Sequence, residues 1–233
     1  MRALRRGTTM TPAPVPADDE STTRVGIIIG STRPGRNAEA VARWVYEIAR
    51  KRSDAQYELV DLKDYHLPLL DEPIPPSVHR YSRDHTKAWA EKVASLDAFV
   101  FVTPEYNHGI PAALKNAIDF VYAEWNNKAA GFVSYGSAGG VRAVEQLRQV
   151  LAEVQVATVR AQAWFSLTTD FENFSVFKPT SGKEPSVATM LDQVVAWGRA
   201  LKVLRPRSDR SNVNEVGRSP TAVVRRPAAT SGA

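Results

Sequence analysis

The sequence predicts an α/β domain: a five-stranded parallel sheet in the strand order 2-1-3-4-5, with helices on both faces, forming a three-layer sandwich. Three observations predict it. Apolar runs of strand length alternate with amphipathic stretches of helical period along residues 24–204. Several of those runs are unbroken, as in strands covered on both faces. The loops after the first, third and fourth strands have unusual compositions, and this strand order gathers those three ends at the point where the connections change direction.

Residues 24–30 read as the first strand, through the run Val-Gly-Ile-Ile-Ile. Residues 38–52 read as a helix, because Ala38, Val41, Ala42, Val45 and Ile48 recur on one face while Glu39, Arg43 and Glu47 fall elsewhere. Residues 56–62 alternate like a strand near a sheet edge. Residues 63–84 contain Pro68, Pro73, Pro75 and Pro76, a density that predicts an ordered surface meander. A helix over residues 86–95 follows, with Thr86 as its expected cap and Trp89 and Val93 inward.

Residues 97–103 form the next buried strand, and Pro111 suits the first turn of the helix after it. The apolar stripe of that helix runs from Leu114 to Trp125. Residues 129–135 read as the fourth strand, residues 141–153 as a helix and residues 155–160 as a short fifth strand. Residues 161–185 look like a loop with many aromatics, among them Trp164, Phe165, Phe171, Phe174 and Phe177. A last helix covers about 186–204. Residues 1–23 and 205–233 lack periodicity and are expected to be disordered tails, leaving residues 24–204 as a single domain.

Charge and composition limit the function classes. The net charge is +5, but residues 205–233 carry six arginines against two acids, which leaves the body near +1. A nucleic-acid-binding body needs a basic face of its own, so no nucleic-acid partner is expected. No apolar run approaches the roughly 20 residues of a membrane span, and residues 1–23 lack the apolar core of a secretory signal. The absence of cysteine excludes thiolate nucleophiles and cysteine metal sites, and is compatible with the cytoplasm. No metal site is expected.

The first loop, residues 30–37, reads Gly-Ser-Thr-Arg-Pro-Gly-Arg-Asn. It leaves a strand and enters a helix, so backbone N–H groups and the positive helix end converge there. Hydroxyls, Arg33 and Arg36 accompany them without a carboxylate, which makes an anion cradle. It is neither a Walker loop nor a G-x-G-x-x-G turn. The second loop, Pro104, Glu105, Tyr106, Asn107, His108 and Gly109, exposes peptide groups able to line a flat polar heterocycle. The third, residues 135–140, has glycines that let backbone approach a ligand. A phosphate site beside a flat polar ring describes a mononucleotide-like cofactor, and flavin mononucleotide (FMN) fits it. The strand order is that of flavodoxin-like folds.

These loops, with the run Leu-Lys-Asn-Ala-Ile-Asp at 114–119 and Leu-Pro-Leu-Leu-Asp-Glu-Pro at 67–73, resemble the NADPH-dependent FMN reductases. That family includes chromate, quinone and azo-compound reductases. The resemblance spans about residues 24–204 and implies that Ser31, Arg33 and Asn37 hold the FMN phosphate, with Arg36 as a further candidate. It places Pro104, Glu105, Tyr106 and Asn107 along the ring and Tyr135, Gly136, Ser137, Gly139 and Gly140 at its other side. A serine often stands where this chain has Asn37.

The resemblance further implies NADPH or NADH as co-substrate and a small-molecule electron acceptor such as a quinone, free flavin, azo compound or metal oxyanion. It also implies a homodimer or homotetramer. No acid–base pair stands near the loops, so binding residues are named and no catalytic one. Two alternatives stay open at this point: a flavodoxin-type electron carrier, which a near-neutral body disfavours, and a flavin-free binding module.

Overall fold

The computed structural model describes residues 22–205. Strands β1 (Arg24–Ile29), β2 (Gln56–Asp61), β3 (Ala98–Pro104), β4 (Lys128–Gly136) and β5 (Val156–Ser166) form one sheet in the order β2-β1-β3-β4-β5. Every pairing in it is parallel. Helices α1 (Ala38–Ala49) and α5 (Glu184–Leu201) cover one face, and α2 (Asp84–Ala94), α3 (Ala112–Asp119) and α4 (Val141–Glu153) cover the other.

The strand period divides the core. Val25, Ile27 and Ile29 bury against Val41, Val45, Met190 and Val194 on the α1/α5 face. Ile28 points the other way, into a cluster with Trp89, Leu114, Phe101 and Leu147. Helix α3 stops at Asp119 although its apolar stripe continues to Trp125. Two buried indoles take its closing carbonyls: Trp89 Nε1 donates to Ala117 O at 2.7 Å and Trp125 Nε1 to Ile118 O at 3.2 Å. Tyr122 and Trp125 then pack through a 3₁₀ turn, Ala123–Trp125.

Several sequence expectations change. Helix α2 begins at Asp84, so Thr86 is buried inside it and is not its cap. The proline-rich meander instead holds the residues that lead into it. The Glu72 carboxylate accepts from the Ser82 and Arg83 amides, at 2.9 Å each, and from Ser82 Oγ at 2.8 Å. Burial opposes its ionisation, yet those donors hold the Glu72 carboxyl down to about 2.

The fifth strand is the second change: it runs eleven residues and includes Trp164 and Phe165. An irregularity opposite Ala130 and Phe132 breaks its alternation near Arg160. Arg148 fills that break, donating to Val159 O at 2.8 Å and Gln162 Oε1 at 3.1 Å while its guanidinium lies over the Phe132 ring. Third, the aromatic stretch beyond it is a small hairpin, β6 (Phe171–Glu172) and β7 (Val176–Phe177), rather than a loop. The last helix also starts earlier, at Glu184, and closes in a 3₁₀ turn, Lys202–Leu204.

Both ends of the described chain pack onto the body. Gln56 N donates to Thr23 O at 2.8 Å, and Lys202 Nζ donates to Thr22 O at 3.1 Å. Asp97 ties the two ends together, accepting from Arg24 N at 2.8 Å, Lys202 Nζ at 2.9 Å and Arg205 Nη2 at 2.7 Å. The remainder of both expected tails, residues 1–21 and 206–233, lies outside the described residues.

Asp97 gives a pH prediction. Its burial favours the neutral form, but Lys202, the Arg24 amide and Arg205 outweigh that and lower its pKa. A lowered folded pKa adds stability above the unfolded value of about 3.9 and loses it as pH falls through the folded one. Asp97→Asn is therefore expected to cost about 1–3 kcal/mol at pH 7 and to flatten the fall in stability below about pH 4. Urea unfolding of both chains at pH 7 and pH 3 measures it, and parallel losses at the two values would contradict it.

Candidate functional site

Strands β1, β3 and β4 are neighbours, so their three carboxyl-end loops share one edge of the sheet. The first loop is pinned where it leaves β1, by Gly30 N donating to Val102 O at 2.9 Å. Ser31 is fully buried, and its Oγ lies 3.0 Å from the Tyr106 hydroxyl. The two arginines part company. Arg36 turns inward, donates to Ser31 O at 2.8 Å and ion-pairs with the Asp61 carboxylate. Arg33 is exposed and makes no ion pair or side-chain hydrogen bond among the described residues.

Asn37 occupies the N-cap of α1 without capping it, and of the first-turn amides that of Ala38 goes to the Tyr135 hydroxyl. The Asn37 Nδ2 donates instead to Phe174 O at 2.9 Å. The amino end of α1 therefore keeps N–H donors beyond that of Ala38, and it follows a loop whose Arg33 guanidinium has no ion pair among the described residues. Of the four residues expected at the phosphate, Ser31 is buried with its Oγ against the Tyr106 hydroxyl and Arg33 is exposed. Arg36 and Asn37 instead hold the loop and the hairpin in place through protein partners.

Strand β3 ends at Pro104, and the second loop closes on itself through Tyr106 N to Gly109 O at 2.9 Å and Gly109 N to Tyr106 O at 3.0 Å. Asn107 and His108 between them are both left-handed, with φ of 49° and 68°, which is a type I′ turn. That tight turn sends Tyr106 back to Ser31. The Glu105 carboxylate accepts from Arg142 Nε at 2.5 Å and from the Arg142 amide at 3.2 Å, so it caps α4. His108 Nε2 sits 2.6 Å from Arg142 Nη1, where it accepts. Arg142 is the residue the sequence did not mark. It stands in an ordinary first helical turn, and nothing local pairs it with a carboxylate 37 positions earlier.

In the third loop Gly139 N donates to Gly136 O at 3.0 Å, and Ser134 Oγ donates to Gly139 O at 2.7 Å. Gly139 and Gly140 have φ of 71° and 72°. A Cβ on Gly140 would lie 2.8 Å from both N and O of Tyr135, so only glycine fits. Ser137 is exposed at the tip. Tyr135 is buried, and burial pushes its phenol up; the Tyr106 hydroxyl adds to this, while Arg33 and the Ala38 amide oppose it. The Tyr135 hydroxyl thus belongs with the first loop, at the amino end of α1.

A groove of about 310 Å³ adjoins the first loop, lined by Thr32, Leu62, Lys63, Leu67 and Asn116. Asn116 shapes it by holding the meander, donating to Pro68 O at 2.6 Å and accepting from Leu70 N at 3.0 Å. The helix end that Asn37 leaves uncapped, the exposed Arg33 and the Ser31 hydroxyl are groups that fit a phosphate. The peptide edges of the second and third loops fit a flat heterocycle beside it. A 2-1-3-4-5 parallel sheet with such loops at its carboxyl edge defines a flavodoxin-like, mononucleotide-binding domain.

The family is settled by comparison. Residues 23–170 match the NADPH-dependent FMN reductase family, and this chain belongs to it. An NAD(P)H-dependent FMN reductase of Schizosaccharomyces pombe is 46% identical over 131 residues, covering 55% of this chain and 66% of that relative. The Saccharomyces cerevisiae NAD(P)H-dependent FMN reductase LOT6 is 43% identical over 139 residues, 55% of this chain and 73% of its own length. A Pseudomonas putida quinone reductase is 35% identical over 138 residues, 54% of this chain and 68% of that one. Among solved structures, FerB from Paracoccus denitrificans shares the fold, with a TM-score of 0.59 at 20% identity over 77% of this chain and 98% of that one.

Proposed function

We propose that this chain is an FMN-dependent oxidoreductase that uses NAD(P)H to reduce a quinone-type small molecule. The observation that carries the reading is the amino end of α1, uncapped by Asn37, after a loop whose Arg33 has no ion pair among the described residues, in a chain of this family. When bound, FMN supplies a ring that accepts hydride from NAD(P)H and passes electrons on to the acceptor. The chain's own part is binding and electrostatics. Ser31 and Arg33, with the first-turn amides of α1, hold the phosphate. Backbone amides of the second and third loops that donate to no carbonyl among the described residues, such as those of Asn107 and Ser137, stabilise negative charge on the ring. Glu105 and His108 are engaged with Arg142, so neither is assigned a proton-transfer role. The quinone acceptor is supported by the Pseudomonas relative and by a 24%-identical 2-hydroxy-1,4-benzoquinone reductase of Burkholderia sp.

The reading extends to assembly and location. Leu69, Leu70 and Val78 are exposed on the meander, which supports a homodimer or homotetramer formed through that side. A cysteine-free chain suits the cytoplasm. Among the described residues, no helix is long and apolar enough to cross a membrane. Stopped-flow absorbance tests the activity: NADPH and then NADH are mixed with FMN-loaded protein, with and without benzoquinone. Bleaching of bound flavin by at least one nicotinamide, and recovery on adding quinone, is expected. Flavin that stays oxidised with both would leave a flavodoxin-type carrier as the better reading.

A further inference from the structure

The family match ends at residue 170, and the β6–β7 hairpin begins at Phe171. It is firmly rooted. The buried Asp170 carboxylate accepts from the Ser166 and Thr180 amides at 2.9 Å each, and Lys178 N donates to Asp170 O at 2.8 Å. Phe171 packs against Tyr135 with ring centroids 5.8 Å apart, and Phe177 packs edge-on against Phe165 at 5.0 Å. From this base the hairpin projects to the amino end of α1, where Asn37 Nδ2 binds Phe174 O at 2.9 Å. Its turn is strained. Asn173 and Phe174 both take left-handed φ, 51° and 58°, and a bulky aromatic rarely does so. The Phe174 side chain is 64% exposed, so burial of the ring does not explain the conformation.

We infer that this hairpin is a specificity element, a wall beside the phosphate end of the site that admits a flavin mononucleotide and rejects the dinucleotide. The inference rests on the FMN reading above. A mononucleotide ends at its phosphate, whereas FAD continues through a second phosphate into adenosine and needs a way out. The turn at 172–175 closes the α1 side of the anion loop, and Asn37 holds it there. Rejection by an occupied volume discriminates without adding affinity for the preferred ligand.

Phe171 and Phe177 are direct partners, so a Gly-Gly link in place of residues 172–176 rejoins them as a two-residue hairpin. FMN and FAD are titrated into the intact apo-protein and into this shortened chain, followed by flavin fluorescence. The intact chain is expected to prefer FMN by about 100-fold or more, and shortening to cut that ratio by about tenfold or more through tighter FAD binding. Equal affinity of the intact chain for both flavins, or a ratio that shortening leaves unchanged, overturns the inference. An intact chain that binds neither flavin sinks the FMN reading itself, a separate outcome. If circular dichroism finds the shortened chain unfolded, hydrogen exchange on the intact one decides. The amides of residues 172–175 should slow when FMN is added, and unchanged exchange overturns the proposal.

Discussion

Arg33→Ala is expected to weaken FMN binding by about 1.5–3 kcal/mol, or roughly ten- to 150-fold, the scale of a charge-assisted hydrogen bond. Arg33 is exposed and has no ion-pair partner among the described residues, so its removal leaves no orphaned carboxylate and should barely change stability. Arg36 makes the opposite case. Its guanidinium is nearly buried against Asp61 and the Ser31 carbonyl, so truncating it would disturb the loop as well as any ligand. Isothermal titration with FMN, alongside urea unfolding, separates the two effects for Arg33→Ala. Unchanged FMN affinity would remove Arg33 from the site.

Gly140→Ala is expected to destabilise the fold by about 2–4 kcal/mol, since a side chain at positive φ is strained and its Cβ also meets backbone. The colliding atoms are the N and O of Tyr135, which cannot swing aside as the end of a flexible side chain would. Tyr135 is also the residue whose hydroxyl stands at the amino end of α1, so the displacement should carry into the ligand site. FMN affinity should fall along with the unfolding midpoint. A variant with the wild-type midpoint would mean that the third loop rearranges freely and does not frame the site.

Much of this was legible in the sequence, and the exceptions share a physical cause. The run at 25–29 and the helix at 141–153 are set by local period and burial, and they stand where their residues predict. The three loops were legible because an anion cradle, a proline-ended strand and a glycine run have distinctive local compositions. What the sequence hid depends on partners distant in the chain. Glu72 holds the entry to α2 from ten residues before Ser82, Arg148 carries β5 through its irregularity, and Arg142 meets Glu105 across two loops. The same holds for Arg36 and Asn37. Their residue types suit phosphate, but Asp61 and the Phe174 carbonyl, brought close only by folding, take up their hydrogen-bonding groups.

The central claim is that residues 30–37 grip a phosphate, and riboflavin, which is FMN without that phosphate, tests it most directly. Both flavins are titrated into the apo-protein at low salt under identical conditions. Contacts from Ser31, Arg33 and first-turn amides of α1 predict that FMN binds at least about 100-fold more tightly, the sum of two or more charge-assisted hydrogen bonds. Equal affinities for FMN and riboflavin would contradict the account.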